Sequence, residues 1–177
     1  MLSGVTEVSD VEGVLIIGTY GAGKSTVAVE LATLLERQAT PYALVDVDFI
    51  GWFGVEADDD AEIHLRTRSA NLAVVMANYR DAGVRRFVLA RSVRDEADLA
   101  RLREAAGVPL RVVALTVPFA VVERRLSADP TDARQDDLRD AREQHASGFG
   151  EGLAELVLDN DRPLRDVVAE LKDWLGW

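Results

Sequence analysis

The chain has no cysteine, two histidines and only two lysines, Lys24 and Lys172. Without cysteine neither a disulfide framework nor a thiolate metal site can form, and His64 and His145 are the only imidazole ligands, so no structural zinc site is expected. Positive charge is scarce as well: the formal net charge is -11. Proteins that grip phosphate backbones or anionic headgroups carry a clustered excess of Lys and Arg, so neither nucleic acid nor membrane is an expected partner. No long apolar run occurs. The first, Val14 to Ile17, has no basic region before it and is too short for a signal peptide or a membrane span, which leads to the expectation of a cytoplasmic protein. With 177 residues, 48% of them hydrophobic, the chain can bury one sizeable core, and we expect a single domain over 1–177.

What is present alternates between two periods. Val14-Leu15-Ile16-Ile17 is a continuous apolar run typical of a strand buried on both faces of a parallel sheet. Ser25 to Gln38 then places Val27, Leu31, Leu34 and Leu35 at helical spacing, and Pro41 precedes a second strand, Tyr42 to Phe49. Ala61 to Ala82 reads as a helix with Leu65, Leu72, Val75, Met76 and Tyr79 on one face and Gly83 as its stop. A third strand, Arg86 to Ala90, a helix from Asp95 to Ala106, a fourth strand from Leu110 to Val117 and a helix from Phe119 to Leu126 follow. Ser127 to Gln144 is polar and charge-rich and receives no assignment. A fifth strand at Leu156-Val157-Leu158 and a final helix from Pro163, with Leu164, Val167, Val168, Leu171, Trp174 and Leu175 in one stripe, complete the order. The expected fold is a doubly wound α/β domain with a mainly parallel five-stranded sheet and a ligand crevice beyond the carboxyl ends of its strands.

Directly after the first strand, Gly18-Thr19-Tyr20-Gly21-Ala22-Gly23-Lys24-Ser25 fits G-x-x-x-x-G-K-[ST] at every fixed position, and Thr26 continues into the helix. Glycines let backbone N–H groups curl around phosphate oxygens, and the helix N-terminus adds its positive dipole end. Lys24 then meets the terminal phosphates and the Ser25 hydroxyl a magnesium ion. One of the two lysines thus stands where a point charge must reach a phosphate. Guanine-reading GTPases need an N-K-x-D segment, which the two lysine positions rule out, so ATP with Mg²⁺ is the expected cofactor. Ring and transport ATPases place an acid after a strand-3-like run, whereas Phe87-Val88-Leu89 leads into Ala90-Arg91-Ser92. The carboxylates stand on the second strand instead, where Asp46 and Asp48 share a face by strand period.

With GTYGAGKST, the carboxylates of VDVDFIG and the ending LVLDNDRPLRDVV, the sequence resembles the P-loop small-molecule kinases: shikimate, gluconate and adenylylsulfate kinases and chloramphenicol phosphotransferase. From Trp52 to Arg80 it is similar to a group of bacterial P-loop ATP-binding proteins that share a strand-2 D-x-D and an H-x-x-x-R-x-x-N-L helix. The resemblance implies that Asp46 holds magnesium and Asp48 orients or deprotonates an acceptor hydroxyl, although the two roles can be exchanged. It also implies that the helix after strand 2 walls the acceptor pocket.

On that helix His64, Arg68 and Asn71, at i, i+4 and i+7, share a polar stripe that reads equally as acceptor contacts or as a solvated face. Arg91, at the end of strand 3, can pair with an acidic or phosphorylated acceptor or with Asp95 or Glu96 on the surface. Trp52 and Phe53 either cap the pocket or join the core. Residues 124–145 occupy the place of a kinase lid, with Arg124, Arg125 and Arg134 as candidates and Arg134 as the catalytic one, against the alternative of a plain helix surface. The function expected is ATP-dependent phosphorylation of a small-molecule hydroxyl. The alternatives are a nucleoside or nucleotide kinase and an ATP-binding switch that hydrolyses slowly or not at all. Acceptor and oligomeric state stay open.

Overall fold

A computed structural model of the chain describes residues 11–54, 61–127, 132–148, 150 and 152–177, with the backbone alone at 132–134. The order is β1 (Glu12–Ile17), α1 (Lys24–Arg37), β2 (Tyr42–Asp46), α2 (Val47–Ile50), α3 (Ala61–Asp81), β3 (Arg86–Ala90), α4 (Glu96–Ala106), β4 (Leu110–Thr116), α5 (Phe119–Ser127), α6 (Asp132–Ser147), β5 (Leu156–Asp159) and α7 (Leu164–Leu175). The five strands form one sheet in the order β2-β3-β1-β4-β5. Every pairing is parallel.

The apolar run of β1 is explained by its central place. Val14 and Ile16 face a core shared with α1, α5 and α7, while Leu15 and Ile17 face a second core shared with α3 and α4. All four side chains are buried, and burial of an aliphatic side chain of this size stabilises by about 1.5–3 kcal/mol. The final helix buries Val167, Val168, Leu171 and Leu175 as its stripe requires. Arg111 lies over the Trp174 ring at 3.5 Å from its centroid, which makes that half-buried aromatic a packed edge. Around β1 the chain builds the sheet first on one side, with β2 and β3, and then on the other, with β4 and β5. The carboxyl end of β1 is therefore the switch point where ligands collect in such sheets.

Two elements differ from expectation. The second strand ends at Asp46, and Asp48 lies in the short helix α2 rather than on the strand. The cause is local: the Asp46 side chain accepts a hydrogen bond from the Asp48 N–H at 3.2 Å and caps a new helical turn. The charge-rich stretch left unassigned contains α6, which packs on α5. It buries Ala141 and little else among its described side chains, so apolar periodicity does not reveal it. Among the described residues no helix is long and apolar enough to cross a membrane.

Candidate functional site

The loop from Gly18 to Ser25 turns tightly at the amino end of α1. Gly23 has φ 94°, and a Cβ there would stand 2.5 Å from Asn160 Nδ2, so conformation and space both demand glycine. The loop carbonyls are tied back from the far side of the sheet. Asn160 Nδ2 donates to Ala22 O at 2.7 Å, and Arg125 donates to Gly21 O at 3.3 Å and to Asn160 O at 3.0 Å. With its carbonyls held, the loop leaves the N–H groups of Gly21, Gly23, Lys24 and Ser25 without an acceptor among the described residues. Such a nest of N–H groups at a helix N-terminus fits phosphate oxygens.

Lys24 Nζ donates to Thr19 O at 3.0 Å and lies 5.6 Å from the centre of the Tyr20 ring. Burial pushes its pKa down, and the carboxylates of Asp48 and Asp46 pull part of the way back. Ser25 Oγ donates to Asp46 Oδ2 at 2.9 Å, while Asp46 Oδ1 caps α2. This hydroxyl and carboxylate fit a magnesium ion, which is usually held by one or two protein oxygens, with phosphate and water supplying the rest. Thr26 stands exposed in the first turn of α1.

Beside the loop opens a cleft of about 730 Å³, lined among others by Tyr20, Asp48, His64, Arg68, Arg91 and Gln144. Asp48 is half-buried there with Arg91 Nε 3.9 Å from its Oδ1. Burial raises its pKa, the Lys24 and Arg91 charges oppose that rise, and Asp46 adds to it. Tyr20 is raised too, first by burial and then by Asp48. Arg91 is buried at the end of β3, and its partner is neither Asp95 nor Glu96. Its Nη2 donates to Asp98 Oδ1 at 2.9 Å. Asp95 instead caps α4 by accepting from Asp98 N–H. Arg68 lies across Gly51, where any side chain would collide with it. The Nε atoms of Arg68 and Arg91 are both buried and, among the described residues, without a hydrogen-bond partner. His64 stacks on Phe53 with ring centroids 4.6 Å apart.

The polar stripe of α3 divides. His64 and Arg68 reach the cleft, whereas Asn71 does not line it and donates instead to Ile50 O at 2.9 Å, fastening the end of α2 to α3. Of the two aromatics Trp52 and Phe53, Trp52 is 79% exposed and joins neither the core nor the cleft lining, whereas half-buried Phe53 stacks behind His64, which does line the cleft. Of the lid candidates, Arg124 is exposed, Arg125 braces the loop, and the Arg134 side chain lies outside the described residues. Three contributors escaped sequence reasoning: Asp98, Asn160, and the α6 face on which Gln144 Oε1 accepts from Tyr20 N–H at 3.0 Å. The Asp-Asn-Asp triplet after the last apolar run was the available signal for Asn160, and the capping spacing of Asp95 and Asp98 was the signal for Asp98.

No family model and no curated protein matches the chain by sequence. Solved structures do match. A sugar kinase from a Janibacter species is 22% identical with a TM-score of 0.68, covering 94% of this chain and 95% of its own. The adenylylsulfate (APS) kinase of Mycobacterium tuberculosis, solved with AMPPNP and APS, is 24% identical with a TM-score of 0.61, covering 94% and 98%. The tunicamycin resistance protein of Deinococcus radiodurans is 18% identical with a TM-score of 0.62, covering 94% and 96%. The expected fold is thus found: a five-stranded, wholly parallel sheet with flanking helices, shared over nearly the whole chain with small-molecule kinases.

Proposed function

We propose that this protein is a cytoplasmic kinase that transfers the γ-phosphoryl group of ATP, with magnesium, to a hydroxyl of a small molecule bound in the cleft. The observation that carries the reading is the placement of Asp48. It is a half-buried carboxylate lining the cleft, two residues from the Asp46 that pairs with Ser25 and within the field of Lys24. Bound ATP supplies the phosphoryl group, and magnesium the charge that screens it. The N–H groups of the loop and Lys24 would hold the phosphates, and Ser25 and Asp46 the ion.

The acceptor is held by Arg68 and Arg91, with His64 on the same wall. Asp48 takes the proton of the acceptor hydroxyl, and the burial that raises its pKa makes it a stronger base than an exposed carboxylate. Tyr20 and Gln144 close the side toward α6, the span read as a lid, and exclude water. The absence of a guanine-reading motif supports adenine as the base.

The test is a screen of ADP release with Mg·ATP against sugars, nucleosides, hydroxy acids and amino alcohols. A phosphorylated product formed by the wild type and absent with Asp48→Asn supports the kinase. ATP binding without any product over the whole screen would favour the nucleotide switch.

A further inference from the structure

The cleft gathers its cationic side chains on one wall, among the carboxylates of Asp48, Asp95 and Asp98. On one side stand Arg68 from α3 and Arg91 from the end of β3, with Arg94 and Arg101 beyond them. Arg91 is 7% exposed; its Nη2 is committed to Asp98, and its Nε lies 3.9 Å from Asp48 Oδ1, outside hydrogen-bond range. Arg68 Nε is also buried and unbonded. A buried guanidinium N–H without an acceptor is costly, and both arginines line this cleft, so an anion bound beside them would offset the unmatched charge.

The opposite wall is α6. Asp140, Glu143, Gln144 and Ser147 follow one another at i, i+3, i+4 and i+7, so a single stripe of the helix faces the cleft. Gln144 is engaged by the Tyr20 N–H and Asp140 is shared loosely with Arg139 at 3.6 Å. Glu143 forms no ion pair among the described residues.

From these two walls we infer that the acceptor is a zwitterionic alcohol. Its anionic group lies against the guanidinium groups of Arg68 and Arg91, its primary ammonium lies toward Asp140 and Glu143, and its reacting hydroxyl is presented to Asp48. A neutral sugar would leave both guanidinium charges unmatched, and an amine alone would meet the arginines with like charge. An acid without an ammonium would satisfy the arginines and leave the α6 carboxylates unmatched. The inference rests on the kinase reading for its use of this cleft as the acceptor site, but binding requires no transfer.

Three probes on one polyol frame test it: 2-amino-2-deoxy-D-gluconate, D-gluconate and 2-amino-2-deoxy-D-glucitol. Each is titrated calorimetrically into the whole protein with magnesium and a non-hydrolysable ATP analogue present, so that the phosphate loop is filled. The amino acid-polyol should bind at least about tenfold more tightly than either singly charged probe, roughly the value of one well-placed charge contact. Glu143→Gln, a change on an exposed helix face, should bring its affinity down to that of gluconate and leave gluconate itself unaffected. Arg68→Gln should weaken both acids. Gluconate binding as tightly as its amino derivative, an unchanged preference in Glu143→Gln, or no binding of the amino derivative would overturn the inference. ADP release measured with the same probes separates the two readings. A binding preference without transfer refutes only the kinase, and transfer to gluconate as efficient as to its amino derivative refutes only the zwitterion.

Discussion

Arg91 Nη2 and Asp98 Oδ1 meet at 2.9 Å with both side chains buried, and this pair fixes the base of the cleft where β3 ends and α4 begins. Burial lowers the Arg91 pKa, and Asp98 is the largest influence opposing that shift. Asp98 also accepts from Arg94 N–H at 3.3 Å, so one carboxylate organises the turn. Asp98→Ala should destabilise the protein by about 3–5 kcal/mol, because removing one partner strands a buried charge. Urea unfolding would measure it, and a loss under 1 kcal/mol would mean that water or another group takes over the guanidinium.

The loop lysine supports a second expectation. Lys24→Ala should weaken ATP binding by about 1.5–3 kcal/mol, the value of a hydrogen bond to a charged group, with a larger loss in any phosphoryl transfer. Calorimetry checks the binding part. Wild-type affinity in the variant would exclude the loop from nucleotide binding.

Asp46 and Asp48, two residues apart, should fail differently. Asp46→Asn disturbs the oxygen that accepts from Ser25 and should raise the magnesium concentration needed for half-maximal activity. Asp48→Asn should leave ATP binding intact and stop transfer. Exchanged phenotypes would exchange the two roles, and silence in both would return the pair to ordinary solvated carboxylates.

How far such a site can be read without coordinates depends on how local its determinants are. The Gly18–Ser25 loop and β3 were legible because consecutive residues carry the whole signal, a fixed spacing in one case and an apolar run in the other. Strand period carried through Phe49, a residue that is 66% exposed, puts Asp48 on a strand, whereas it stands in α2. The competing signal was the capping aspartate at position 46. The α6 wall was illegible because its packed face is narrow and its cleft-lining face is polar, so no stripe of hydrophobic residues marks it. Asn160 and Asp98 act across 138 and 7 residues on groups whose positions only the fold brings together.

Asn160 itself yields a prediction. Its side-chain N–H holds Ala22 O at 2.7 Å from a buried position, so Asn160→Ala removes a strut behind the phosphate loop and leaves that carbonyl unpaired. A loss of about 1–3 kcal/mol in stability is expected from the unsatisfied group, together with weaker ATP binding as the loop loosens. Asn160→Asp should be worse for the nucleotide, since a carboxylate would face a carbonyl it cannot bond. Unchanged ATP affinity in both would show that the loop keeps its shape without the strut.

The scarcity of lysine permits a direct reading of the charge at the loop. With only Lys24 and Lys172 in the chain, protein labelled with ¹³C at lysine Cε gives two signals, and Lys172→Arg leaves Lys24 alone. Burial is the largest influence on Lys24 and lowers its pKa, against the upward pull of Asp48 and Asp46. Its chemical-shift titration should therefore have a midpoint below that of a free lysine. The sign for stability follows: between the lowered folded value and the unfolded value the unfolded chain binds more protons, so this group makes stability rise with pH across that window. Adding Mg·ATP should move the midpoint upward, because phosphate oxygens favour the ammonium form. Asp48→Asn should move it further down by withdrawing the largest of the three supporting carboxylates, Asp48, Asp46 and Asp137. A midpoint at or above the free-lysine value, unmoved by either change, would place the Lys24 ammonium in solvent and away from the phosphate loop.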